Sequence, residues 1–189
     1  MRHGKSDWNH PYKDDIDRIV SKVGIDKTKK ILLDYGIKDS EKKSEYIMSG
    51  FTKLGSNKGV KKCFSNLKKS NIILATLTNG HTTTTKQLLK HNKIDSFVDK
   101  CFSVDDVKKW KPFPEPYLNV IKNYNFLPSE TIMIACHSWD LAGAKKVGMK
   151  TAYIENYENK FSPYFGKPDF SARNIEEVVD KIVSRNNKF

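Results

Sequence analysis

The stretch Ile72-Ile73-Leu74-Ala75-Thr76-Leu77, running into Thr78-Asn79-Gly80-His81, decides how this chain is read. Its first six residues form a short, almost continuous apolar run, as expected of a parallel strand covered on both faces. A helix is predicted to follow over about 83–91. Two further runs of the same kind come later, Thr131-Ile132-Met133-Ile134-Ala135 and Thr151-Ala152-Tyr153-Ile154. Helical spacing separates them at about 115–124 and 139–147, where Gly148 serves as a C-terminal stop, and a last helix falls at about 175–184. Strands and helices alternating at these lengths imply βαβ crossovers and a Rossmann-like parallel sheet with flanking helices, an α/β fold.

Upstream of this stretch the texture is helical. Ile16, Ile19, Val20 and Val23 share one helical face, closed by Gly24; Asp26 can cap a second helix holding Ile31, Leu32 and Leu33 and ended by Gly36. A third helix is expected over about 40–54, burying Tyr46, Ile47 and Phe51, and a fourth over 59–69 with Val60, Phe64 and Leu67 in register. The expected division is a helical segment over 8–56 and an α/β core over 57–185.

A chain of 189 residues with 38% hydrophobic content can bury one sizeable core. No run approaches the roughly 20 apolar residues that span a bilayer, and Met1-Arg2-His3-Gly4-Lys5-Ser6-Asp7 lacks an apolar signal segment. A soluble, cytoplasmic protein with no membrane partner is expected. Cys63, Cys101 and Cys136 are odd in number and widely spaced, which fits reduced thiols better than disulfides or a zinc site. The net charge of +12 is spread over lysine doublets with only four arginines, so it reads as a solvated surface and not as a nucleic-acid face.

Ligands of open α/β sheets bind beyond the carboxyl ends of the strands, and three segments leave strands there. Thr78-Asn79-Gly80-His81 joins a hydroxyl, an amide and a glycine ahead of a helix N-terminus; it is either an anion cradle or an ordinary capped joint. Trp110-Lys111-Pro112-Phe113-Pro114-Glu115-Pro116-Tyr117 fixes Lys111 on a proline-stiffened loop, where an ammonium can neutralise developing negative charge or simply face solvent. Cys136-His137-Ser138-Trp139-Asp140 runs from a strand end into a helix. There Ser138 can cap the helix and Asp140 suits the helix dipole, while Trp139 can equally be a buried anchor.

Taken in order, L-T-N-G, then W-K-P-x-P-x-x-Y, then H-S-W-D-L-A-G-A resemble the haloacid dehalogenase superfamily, and more narrowly its type II (L-2-haloacid) dehalogenase branch. The resemblance covers about 50–180 well and 8–50 loosely, and it implies a HAD core with a partial helical cap. Carried over residue by residue, it implies that Thr78 and Asn79 hold the substrate carboxylate or orient the nucleophile. It makes Lys111 the cation that balances carboxylates, and Asp140 its partner in supporting water attack. Gly80, Tyr117, His137, Ser138 and Trp139 follow as substrate-binding neighbours. His137 stands where the branch often has asparagine, and Ala135 replaces a serine. Metal-dependent phosphatases of the superfamily carry a carboxylate where this chain has Cys136, a poor ligand for Mg²⁺, so no metal and no cofactor are expected.

The family's nucleophile lies on an apolar strand ending D-x-x-G-T, and nothing before Trp8 matches it. Ile31-Leu32-Leu33-Asp34-Tyr35-Gly36-Ile37 echoes it in part, but Asp26 and Gly36 already explain that stretch as a capped helix. The family's halide-receiving arginine has only Arg18 as a candidate. The expectation is thus a hydrolase of small 2-substituted carboxylic acids by an aspartyl-ester route, this chain being a truncated or inactive form, with a homodimer admitted. The alternatives are a non-catalytic carboxylate-binding protein, a Mg²⁺-dependent phosphatase and a nucleic-acid-binding module.

Overall fold

The computed structural model describes residues 29–155 and 161–186, the side chains of Met48 and Asn186 excepted. The helix expected over 14–23, with Arg18, Gly24 and Asp26, lies outside these residues. In chain order the described elements begin with α1 (Ser40–Gly50), α2 (Val60–Lys69), β1 (Ala75–Thr78), α3 (Thr82–His91), β2 (Lys100–Ser103) and α4 (Pro114–Tyr124). They continue with β3 (Ile132–Ala135), α5 (Ser138–Lys146), β4 (Lys150–Ile154), β5 (Phe170–Ala172) and α6 (Ile175–Asn186).

The chain divides into two compact units. One runs to Ser56 and includes Gly80–Asp95; the other comprises Asn57–Asn79 and Ser96 onward. In the first unit, residues 29–34 are helical and end in a turn where Gly36 takes φ 68. Asp34 therefore sits within a helix and not at a strand end. Asn92, just after α3, ties this unit together by donating to Leu54 O at 2.9 Å and accepting from Ser56 N at 2.6 Å. The buried positions of α1 are Ser40 and Ser44, one turn apart, and Ser44 Oγ donates to Glu41 O. The expectation that α1 buries Tyr46 and Ile47 is corrected: they are 80% and 36% exposed. At 3.6 residues per turn Tyr46 lies about 200° around the helix from Ser44, so the face that buries one exposes the other.

The second unit carries the parallel strands. β1 pairs with β2, Ala75 opposite Lys100 and Thr78 opposite Ser103. β3 pairs with β4, and β4 with β5. Among the described residues β1 and β3 are not hydrogen-bonded to each other, so the ladders form two sheets. Leu77 of β1 and Met133 of β3 nevertheless pack against one cluster, formed by Tyr117 and Ile121 of α4 with Ala144 and Met149. On the other face Ile132 and Ile134 join Ala152, Ile154, Ala172 and Val178, while Cys63 and Leu67 of α2 meet Val179 and Leu74. Alternate residues of β3 thus feed opposite helical layers, Ile132 and Ile134 one and Met133 the other, as period-two geometry requires. Each fully buried aliphatic side chain contributes roughly 1.5–3 kcal/mol of transfer free energy to this arrangement.

The fold is α/β with parallel sheets, as the apolar runs predict. No helix among the described residues is long and apolar enough to cross a membrane.

Candidate active site

Three strand-end segments of the second unit converge, and Lys111 sits at their centre. The loop after β2 starts with a capped turn in which Ser103 Oγ accepts from Asp105 N and Asp106 accepts from Ser103 N. It then reaches Lys111, which precedes a cis peptide to Pro112. Pro114 and Pro116 open α4; proline suits a first turn, where an N–H has no helical partner.

From this loop Lys111 makes three anchoring contacts. Its backbone N–H donates to Asn79 Oδ1 at 3.0 Å, and Nζ donates to Leu77 O at 3.2 Å. Nζ also pairs with Asp140 Oδ1 at 2.8 Å, the two side chains being only 7% and 8% exposed. Their burial means that neither charge is solvated by bulk water, so each depends on the other. The ammonium lies 5.5 Å from the Trp139 ring centroid, a cation–π contact that adds to its stabilisation.

Asp140 is held from its backbone as well. Tyr117, fully buried, donates its hydroxyl to Asp140 O at 2.9 Å. Burial, then the adjacent Asp140 carboxylate, push the ionisation of this hydroxyl well above the ordinary tyrosine value, so it stays a donor. Gly143 makes room for it: a Cβ there would meet Tyr117 Cε2 and Oη at 2.5 Å. At the end of α5, Gly148 takes φ 86 as the chain turns into β4.

His137 precedes α5 and is half exposed. Its Nδ1 lies 3.9 Å from Asp140 Oδ2 and 3.5 Å from Cys136 Sγ, and its ring tilts against Trp139 at 5.6 Å. Ser138 is buried in the first turn of α5, and Thr78 is half-buried at the end of β1.

The structure therefore brings Asn79, Lys111, Tyr117, His137, Trp139 and Asp140 into one linked cluster. Gly80 belongs to the other unit. Tyr117 and Asn79 face protein groups: one anchors the Asp140 backbone, the other the Lys111 backbone. Sequence reading missed two contributors. The Leu77 carbonyl is a backbone acceptor that no side-chain pattern signals. Gly143 was visible within D-L-A-G-A, but its need for a close approach was not. An open groove of about 550 Å³ beside β5 and α6, lined by Asp169, Ser171, Asp180 and Arg185 among others, shares no residue with this cluster.

Comparison with known proteins shows the family and the fold. The family model of haloacid dehalogenase-like hydrolases matches residues 6–154, and the chain belongs to that family. It is 30% identical over 125 residues to (S)-2-haloacid dehalogenase 4A of Burkholderia cepacia, covering 66% of this chain and 54% of that protein. It is also 30% identical over 130 residues to pyrophosphatase PpaX of Halalkalibacterium halodurans, covering 66% of this chain and 58% of that one. The fold superposes on the crystal structure of a dehalogenase in an intermediate complex with a TM-score of 0.79 and 26% identity, covering 85% of this chain and 71% of that one. The chain thus spans little more than half the length of the curated relatives it matches.

Proposed function

We propose that the protein is a hydrolase of the L-2-haloacid dehalogenase type, acting on small 2-substituted carboxylic acids. The observation that carries this reading is the buried Lys111–Asp140 pair at the carboxyl ends of β1 and β3. A fixed ammonium there draws a substrate carboxylate and offsets negative charge in the reaction. Asn79 and Tyr117 keep the pair in register, and Trp139 supplies an apolar wall beside the ammonium. Among the described residues no side chain is assigned the nucleophile.

The test is chloride release from L-2-chloropropionate by the purified chain and by its Lys111→Ala variant. The enzyme reading requires release by the parent and none by the variant. No halide from either the chloro or the bromo acid refutes the enzyme reading for this chain.

A second reading, a carboxylate-binding protein without turnover, is favoured by the placement of Asp34 inside a helix. It predicts calorimetric binding of L-lactate that Lys111→Ala abolishes, without halide release. The similarity to PpaX raises a Mg²⁺-dependent phosphatase as well, against which stands Cys136, whose thiol is a poor Mg²⁺ ligand. Magnesium-dependent release of phosphate from pyrophosphate would favour that third reading.

A further inference from the structure

We propose that His137 and Asp140 act as one proton-accepting unit, in which Asp140 holds the imidazole at Nδ1–H and Nε2 takes the proton of the hydrolytic water. The proposal rests on the hydrolase reading above and assigns the step that consumes water.

Asp140 is badly placed to take that proton itself. Its side chain is 8% exposed, and Oδ1 is engaged by the Lys111 ammonium at 2.8 Å. The remaining oxygen, Oδ2, faces His137 Nδ1 at 3.9 Å, and the His137 side chain is 50% exposed. The imidazole is therefore the group that links the buried carboxylate to solvent. Both polar neighbours of Nδ1, Asp140 Oδ2 and Cys136 Sγ, can accept a hydrogen bond. The proposal puts the proton on Nδ1, facing these two groups, and leaves the Nε2 lone pair for the water's proton, the tautomer logic of a carboxylate-oriented histidine. At 3.9 Å the contact is longer than a hydrogen bond, and the proposal requires it to shorten when a ligand is bound.

The ring is braced by Trp139, which follows it in the first turn of α5. Among the described residues the charged groups facing it are Asp140 on α5 and, across Asp140, Lys111 on the loop ahead of α4; Cys136 is the titratable neighbour at the end of β3. Lys111 balances the Asp140 charge while the carboxylate orients the imidazole.

In the step itself a water oxygen bonds to the acyl carbon of an ester as Nε2 takes a proton from that water. The tetrahedral adduct collapses, the acyl–oxygen bond breaks with its electron pair on the departing alkoxide, and His137 returns the proton to that oxygen. Ester and water become acid and alcohol, with the imidazole regenerated.

The probe is p-nitrophenyl acetate, which brings its own ester and needs no nucleophile from the chain. Hydrolysis is followed against pH for the parent protein, His137→Asn, Asp140→Asn and the double variant, each shown folded by circular dichroism. His137→Asn is expected to lower the rate about 100-fold and to abolish the acid limb of the profile. The double variant is expected to be no slower than His137→Asn, because the two residues act as a unit. Nitrogen-15 NMR of the parent, which does not depend on any variant folding, is expected to show His137 protonated at Nδ1 at alkaline pH. A parent no faster than buffer, a His137→Asn variant at the parent's rate, multiplying effects, or protonation at Nε2 each overturns the proposal. Halide release is scored separately: its absence alongside the expected ester results refutes the dehalogenase reading and leaves the proton-accepting unit standing.

Discussion

Lys111→Met isolates the central electrostatic feature of the site. The substitution keeps a flexible side chain of similar length and removes the ammonium that pairs with Asp140 Oδ1 at 2.8 Å. Asp140, 8% exposed, is then a buried carboxylate without its counter-charge. Breaking a buried pair from one side costs about 3–5 kcal/mol, because the surviving charge keeps its desolvation penalty and loses its compensation. The Leu77 carbonyl also loses its 3.2 Å donor, which lies within the same cost. For a chain of this size each kcal/mol moves the midpoint of thermal unfolding by about 2–4 °C, so a fall on the order of 10 °C is expected. The assay is thermal and urea unfolding followed by circular dichroism, with the urea slope compared to confirm that only stability changed. Replacing both partners, Lys111→Met with Asp140→Leu, should recover much of the loss, since removing a buried pair altogether is often close to neutral. A single variant within about 1 kcal/mol of the parent would show that water reaches the pair and that it is not the desolvated anchor described here.

Further substitutions probe the supports of the pair and the outlying elements. Tyr117→Phe removes the hydroxyl that donates to Asp140 O and should cost about 1–3 kcal/mol, read from urea midpoints, because a buried acceptor is left unpaired. Gly143→Ala drives a methyl to 2.5 Å from the Tyr117 ring and should cost a similar 1–3 kcal/mol by overpacking, with lower halide release if the pair is displaced. Burial opposes ionisation of Asp169, but hydrogen bonds from Thr151 Oγ1 and N, helped by Lys145, outweigh it and hold its carboxyl below the usual value. A depressed folded value means that this stabilisation is complete above the unfolded carboxylate range, near pH 4, and is lost as pH falls through the folded value. Thr151→Val should therefore flatten the acid side of the stability profile, and an unchanged acid slope would contradict the assignment. Burial, then Glu176 and Asp180, push the Cys63 thiol up, so Cys63 should stay unreactive to a disulfide reagent until the protein unfolds, while Cys101 and Cys136 react first.

How far the sequence reveals this fold depends on where each strand sits in its layer. β3 and β4 are covered on both faces, so continuous apolar runs mark them. β2, Lys100-Cys101-Phe102-Ser103, runs from an exposed lysine through a half-buried cysteine to buried Phe102 and a capping serine, while β5 is three residues long at a sheet edge. Neither leaves an apolar run, so neither is legible from hydrophobicity. Ile72–Leu74 resembles part of the first strand for the opposite reason. Leu74 packs against the α2–α6 cluster and is apolar for that contact, although the ladder begins only at Ala75. The grouping of Gly80–Asp95 with the helical segment was invisible too, because it depends on Asn92 reaching Leu54 and Ser56, more than thirty residues back.

The site divides along the same physical line. Lys111, Asp140, Thr78 and Asn79 stand out in the sequence because charged and polar side chains at the ends of buried strands have few structural reasons to be there. What the motifs do not reveal is the direction in which each group works. Asn79 and Tyr117 spend their polar atoms on the backbones of Lys111 and Asp140, so they set geometry within the protein. The acidic group pointed out by the H-S-W-D motif is itself buried and paired, and the half-exposed residue beside it is His137. Burial, which leaves no mark on a motif, thus moves the water-facing role from the carboxylate to the imidazole.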